Sequence, residues 1–531
     1  MDRLEEDLRQ RISERGERFA GLCEERVVQG EEQGFEDDTG VVGNIADSRD
    51  ATDAGSTVPD ALTESEAGSE EAWSALLTGR NAVMLALVST GIGLHAFNAF
   101  AIVAAMPLAA ADLGGGALFS WAYSLYFIGS IAGGTAAAAF RDRVGLAASM
   151  LVSCLLFAIG SIAALAAPDF SFILAGRLLQ GVADGLIVAI AYSLIPGNFR
   201  PGLISKVFAA EAMVWAVASL LGPIVGGWLT ETFSWRMSFL AVAPFLLLLV
   251  VLTPIAKPAP SSARPVVAAP FAIGLLIAGA LVLSLASVAP TGAAQAMAVA
   301  AGLVLFVVAM KFDGWLGPKL LPPGAFGFRS VFGCGMWVLL LMSLSHSVGA
   351  VYLALAVSEI WGYRPIVVGA IVLLMALTWS VVAVFASRNP SPHSQDARTR
   401  IGPLFQMAGF VSIGIGLTTQ TITLVVISQI LIGTGFGLAW ANINRAALAG
   451  TPQGERDRAG ALLPTVSTAG YAIGAGVAGL IATATGLVAK LHAVVTLPEA
   501  SLASSYLWLY GLAALGAGIA FLFSFGVRLP R

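Results

Sequence analysis

Arg177, Gln180 and Asp184 stand at spacings i, i+3 and i+7 inside an otherwise apolar run, which places them on one face of a helix. A carboxylate so placed can take up and release a proton, and a nearby guanidinium tunes its affinity. The alternative is a static polar contact. At 1.5 Å per residue the two charges lie about 10 Å apart along the axis, too far for an unaided pair. His95 and His346 are two of four histidines, and imidazole suits a proton-linked switch as well as it suits plain hydrogen bonding. Asn98 lies one turn from His95 and shares its surface. Glu211 stands eleven residues before Gly222, nearly three full turns, so Ala218, Gly222 and Gly226 share its face. That face is expected to pack on the other half, where a carboxylate either makes and breaks an inter-half contact as its protonation changes or simply pairs with Lys206 or a loop Arg. Trp215, Trp379, Trp440, Tyr352 and Phe127 are candidates for lining a cavity or for facing lipid.

The elements that carry these residues must be membrane helices. Of 531 residues, 57% are hydrophobic and only 12% charged, with mean hydropathy +0.82. That balance excludes a soluble globular chain. A charge at mid-membrane costs at least ~2.5 kcal/mol, so the few present mark function by default.

Fourteen spans of bilayer length are expected, near 81–107, 118–140, 146–166, 170–196, 204–229, 235–255, 269–289, 293–312, 329–357, 364–386, 401–419, 422–447, 458–488 and 503–527. Counting loops from a cytoplasmic N-terminus puts eighteen Lys/Arg on the inner side, Arg141, Arg143, Arg398 and Arg400 among them. Arg236, Arg364 and Lys490 fall outside. This asymmetry predicts a multi-pass protein of the cytoplasmic membrane with both termini inside.

The formal charge of −4 joins two unlike regions. Residues 1–72 hold 21 acids and 7 bases, and the rest hold 12 acids and 22 bases. The expected organisation is an acidic, disordered tail over 1–79, six-helix halves over 80–255 and 329–531, and a linker with two extra spans over 256–328. A thin apolar stripe over 2–28 leaves a partner-binding helix as the other reading of the tail. Cys23, Cys154 and Cys334 have no metal-like spacing.

The chain repeats itself. Arg177-Leu-Leu-Gln-Gly181-Val-Ala-Asp-Gly185 aligns with Gln429-Ile-Leu-Ile-Gly433-Thr-Gly-Phe-Gly437 at an offset of 252, which also carries Gly222 onto Gly474 and Gly227 onto Gly479. Nearby offsets place Arg141-Asp142-Arg143-Val-Gly145 on Arg398-Thr-Arg400-Ile-Gly402, and His95 on His346. Spans 1–6 and 9–14 are thus parallel halves with spans 7–8 inserted, a plan that places a substrate site between the halves near the midplane. Gly222-Pro223-Ile-Val-Gly226-Gly227 reads as a close helix contact with a bend. Its counterpart has Ala475 in place of Pro223, so the bend is expected in the first half alone.

These motifs resemble the major facilitator superfamily, in particular its fourteen-span drug:proton antiporter branch, over about residues 80–527. Arg141-Asp142-Arg143-Val-Gly145 is similar to the loop signature between spans 2 and 3, although Ala138, Leu146 and Ala147 depart from it. Arg177-Leu-Leu-Gln180-Gly181 is similar to the span 4 signature, and Gly222-Pro223-x-x-Gly226-Gly227 to the span 5 antiporter signature. The resemblance implies that Asp142, with Arg143 and Gly145, holds the halves together at the inner mouth, against the N-terminal end of a neighbouring helix. It breaks at Asn98, where these exporters commonly carry an Asp.

The expectation is an all-α polytopic membrane protein, not an enzyme, that works by alternating access. Its expected role is proton-coupled efflux of amphipathic or lipophilic small molecules; an importer or uniporter, and a non-transporting sensor or scaffold, are the alternatives. Proton-coupling candidates are Arg177, Asp184, Glu211, His95 and His346. Asp142, Arg143, Gly145, Gly222, Pro223, Gly226 and Gly227 are gating candidates, and Asn98, Gln180, Trp215, Tyr352 and Trp440 are cavity candidates. No metal, no cofactor beyond the proton gradient and no nucleic acid is expected; the partners are substrate and lipid, and the protein is expected to be a monomer.

Overall fold

The computed structural model describes residues 73–256, 270–313, 321–387, 392–452, 455–487 and 499–528. The acidic tail up to residue 72 and Lys490 lie outside the described residues. In order, the helices are α1 (Gly79–Ala101), α2 (Met106–Asp112), α3 (Trp121–Val144), α4 (Leu146–Leu165), α5 (Phe170–Asn198), α6 (Pro201–Thr232), α7 (Ala243–Ala256) and α8 (Pro270–Leu285). They continue as α9 (Gly292–Lys311), α10 (Val331–Val351), α11 (Leu353–Trp361), α12 (Pro365–Ser387), α13 (Pro392–Thr418), α14 (Ile422–Ala449), α15 (Arg456–Ala484) and α16 (Glu499–Ser524). Helix is what hydrocarbon demands, because each backbone polar group must find its partner within the segment.

Thirteen segments among the described residues are long and apolar enough to cross a membrane. The remaining expected span is α3, which is 24 residues long but diluted by Ser124, Gly129, Ser130, Gly133 and Gly134. These small residues let α3 approach α5. A Cβ on Gly129 would lie 2.6 Å from the Leu178 carbonyl, and Gly181 and Gly185 face the backbone of Tyr126 and Ser130 in return. The same construction recurs in the second half, where Gly433 faces Met375 and Gly437 lies against the Trp379 carbonyl of α12. The repeated glycines are therefore close helix approaches.

The pattern of neighbours follows the repeat throughout. The pairs α1·α6, α3·α5, α4·α5 and α1·α7 correspond to α10·α15, α12·α14, α13·α14 and α10·α16. Spans 1 and 9 are both interrupted late, between α1 and α2 and again at Tyr352 between α10 and α11. Two seams join the halves, α6·α12 and α3·α15, and the repeat exchanges one for the other. Of the inserted pair, α8 lies beside α3 and α15, and α9 packs on α8. Helix α15 also carries a proline, Pro464, away from the position equivalent to Pro223 of α6.

The contacts between the halves cluster toward the end where α3 and α12 begin. Phe119 packs on Tyr352 with ring centroids 5.3 Å apart. Arg364 donates to Glu231, which also accepts from the Ile366 backbone N–H at 2.8 Å. The buried core is continuous across both halves at this end, whereas the core built from Met84 to Phe97, Met150 to Phe157 and Ala183 to Ile195 stays within the first half.

Candidate functional site

Helix α5 brings the singled-out polar residues into the first half. The Asp184 carboxylate is fully buried and shares a hydrogen bond of 2.8 Å with His95 Nδ1 from α1. The Ser130 hydroxyl of α3 donates to the same oxygen at 3.3 Å. The other carboxylate oxygen is buried without a hydrogen-bond partner, as are the Asn98 amide nitrogen and the Tyr126 hydroxyl. The His95 side chain keeps 23% exposure and meets Trp215 edge-on, centroids 5.4 Å apart. The arrangement is an acid–imidazole pair whose carboxylate is held by three helices.

Arg177 does not reach Asp184. Its guanidinium donates to the Ala122 carbonyl at 3.2 Å and to Gln180 at 2.9 Å, and it lies 4.0 Å above the centre of the Tyr126 ring. Gln180 passes the chain on to Ser161 of α4 at 2.9 Å. Both ends of its amide are engaged inside the first half and the residue is 0% exposed, so the expectation that Gln180 lines a cavity is corrected. Sequence reasoning missed Tyr126 and Ser130, although their i, i+4 spacing on α3 was a legible signal.

Glu211 is buried and accepts from Ser89 of α1 at 2.8 Å, with its other oxygen unpartnered. Its face therefore packs on α1 of its own half, which corrects the expectation that it meets the other half. The glycines behave likewise: a Cβ on Gly222 would lie 2.7 Å from Phe100, and Gly226 sits against Ala101. The opposite half is met by Gly227, whose Cβ would lie 2.8 Å from Ile366 Cα, and by Pro223, which packs on Gly369. The signature run is a double contact, with one face for each neighbour.

In the second half His346 meets rings, Phe436 at 5.4 Å and Tyr471 at 6.0 Å between centroids. Trp440 completes an aromatic group with Phe436 and Trp379, and Tyr471 stacks across the seam on Phe127. Tyr352, 1% exposed, is a plug between the halves and not a cavity wall. Asn98 is buried, while Trp215 and Trp440 are half-buried.

At the other end of the bundle the Asp142 side chain is 44% exposed and lies 3.4 Å from Arg141, which also donates to Ser193 of α5. Arg143 is exposed. Gly145 turns the chain from α3 into α4 with φ 82° and ψ 161°, a backbone conformation that only glycine adopts without strain.

Two pseudo-symmetric helical halves, with a buried ionisable pair between helices of one of them, define a polytopic membrane transporter. The chain belongs to the major facilitator superfamily, whose family model matches residues 88–416. It is 30% identical over 439 residues to the Mycobacterium tuberculosis protein named "Probable multidrug-efflux transporter Rv1634", covering 79% of this chain and 90% of the relative. It is 26% identical to the multidrug efflux pump LfrA of Mycolicibacterium smegmatis, covering 76% and 81%. Solved structures of a D-xylose-proton symporter (18% identity, TM-score 0.59, 84% of this chain and 98% of that one) and an auto-inhibited peptide transporter (15%, 0.60, 84% and 98%) share the fold alone.

Proposed function

We propose that this protein exports amphipathic or lipophilic small molecules from the cell by alternating access, driven by proton exchange. The single observation behind this reading is the His95–Asp184 pair at 2.8 Å. A buried carboxylate is most easily kept in the membrane when it is protonated or paired. Protonation breaks the pair electrostatically, and deprotonation remakes it. The pair also answers the departure at Asn98: α5 supplies beside α1 the acid that α1 lacks. The names of the two mycobacterial relatives favour efflux of drug-like molecules over uptake.

The charge asymmetry of the loops puts the Arg141–Arg143 end in the cytoplasm. On that assignment the halves meet at the outer end, and we infer an inward-facing monomer in the cytoplasmic membrane with both termini inside. No cofactor or metal enters the reading.

The test is flux in proteoliposomes with an imposed pH gradient, with tetraphenylphosphonium and ethidium as probes. Wild type should concentrate a probe against its gradient, and Asp184→Asn should lose that power while retaining gradient-independent exchange. Flux of both probes that ignores the pH gradient in wild type overturns proton coupling. Accumulation in the opposite direction favours the importer.

A further inference from the structure

The repeat exchanges the two seams, yet they are fastened differently. The α6·α12 seam is tied by Glu231, Arg364 and the Ile366 amide. At the α3·α15 seam Tyr471 stacks directly on Phe127, but among the described residues the hydrogen-bonded tie running through the seam is anchored in neither half. It comes from the Ala286-Ser287-Val288 turn that ends α8.

Ser287 is buried at a three-way junction. Its hydroxyl accepts from the Trp121 indole N–H at 2.9 Å and donates to the Ser284 carbonyl at 2.8 Å. Its own carbonyl accepts from the Thr483 hydroxyl at 2.6 Å. Trp121 is the first residue of α3 and Thr483 stands in the last turn of α15. Gly479 lets the three elements close up, because a Cβ there would lie 3.2 Å from Ser287 Cβ and would collide with Ser120. Deeper along the seam, Ile128 and Ile131 of α3, Ile273 and Ala280 of α8 and Ala472 of α15 form a buried cluster separate from the two large cores. Along α15, a Cβ on Gly476 would lie 3.0 Å from the Ser284 hydroxyl.

We propose that the inserted hairpin α8–α9 is a clasp on this seam. It rides with α15 and holds α3 through the Trp121–Ser287 hydrogen bond, which must break each time this end of the bundle opens. The two extra spans thereby set the balance between the closed and open forms of this end. This inference rests on the alternating-access reading.

The experiment measures distances between spin labels on Ala111→Cys and Ala484→Cys, one on each half at this end and both exposed, with Cys23, Cys154 and Cys334 replaced by Ala. Wild type in proteoliposomes should show a dominant short distance. Trp121→Phe and Ser287→Ala should each raise the long-distance fraction by roughly five- to tenfold, the effect of one buried hydrogen bond on a two-state ratio. The double variant should match either single one, because both remove the same bond. Glu231→Ala serves as the control on the other seam. If it opens this end while Trp121→Phe and Ser287→Ala leave the distribution unchanged, the clasp is wrong and the transporter reading stands. Additive shifts in the double variant also overturn the clasp, because the two residues then act separately. A single unchanging distance in every variant overturns alternating access and the clasp together.

Discussion

Asp184 and Phe436 occupy the same place in the two halves, 252 residues apart, and each faces the histidine of its own half. His95 meets a carboxylate at 2.8 Å, and His346 meets a ring with centroids 5.4 Å apart. One plan therefore carries an ionisable pair in the first half and an aromatic contact in the second. Removing the carboxylate should be costly, since a hydrogen bond to a charged group is worth about 1.5–3 kcal/mol. Asp184→Asn and His95→Phe should each lower proton-driven flux by roughly ten- to a hundredfold. His346→Phe should retain it within about threefold, a change below 1 kcal/mol. Initial rates under a fixed pH gradient decide this, and equal losses at both histidines would refute the asymmetry.

The two faces of the Gly-Pro-x-x-Gly-Gly run predict different failures. Gly226 sits against Ala101 within its own half, so Gly226→Val overpacks a permanent contact, at a cost of about 1–3 kcal/mol. Thermal unfolding in detergent should occur at lower temperature. Gly227 meets Ile366 of the opposite half, and a side chain there separates the halves without disturbing either. Gly227→Val should leave the unfolding temperature nearly unchanged while shifting spin-label distances at this end to longer values.

Gly145 predicts a purely local effect. Its φ of 82° with ψ of 161° lies in a region that strains any residue with a Cβ by about 1–3 kcal/mol. Gly145→Ala should lower stability by that amount, although a Cβ would meet nothing within 4 Å. A larger loss would point to a packing role that the structure does not contain.

Asp112 predicts an acid-side dependence. Hydrogen bonds from Arg236 at 3.0 Å and the Trp235 indole at 3.1 Å hold its carboxyl below the ordinary 3.8. A depressed carboxyl stabilises the folded protein fully above its unfolded value, and that contribution is lost as pH falls through the folded one. The loss therefore begins below about pH 3.8, and pH 5–8 leaves the junction intact. Asp112→Asn should lower the unfolding temperature at pH 6 and lessen the difference between pH 6 and pH 3. An unchanged acid limb in the variant would exclude this carboxyl as its source.

The spans, the parallel halves and the close-packing role of the repeated glycines were legible because they depend on composition and period alone. Which face of each span is buried was not. In water the apolar stripe marks the core, but lipid is as apolar as a protein interior, so Leu155 on the surface and Leu94 in the core read alike. That is why Glu211 was assigned to the wrong neighbour and Gln180 to a cavity. The partnership of Asp184 with His95, and not with Arg177, depends on the rotation of α1 against α5, which no spacing within one helix encodes. Ser287 gave no signal at all: a serine ending an apolar helix is common, and its importance arises from two residues far away in the chain.

The inserted hairpin also makes the flanks of the bundle unequal. Along α3·α15 the groove between the halves is roofed by α8, while along α6·α12 Val217, Leu221, Ile224 and Trp228 stand exposed. Hydrocarbon tails thus touch the working junction on one side only. Changes in bilayer thickness or lateral pressure press on α6 and α12 directly and reach the opposite junction only through a protein cushion.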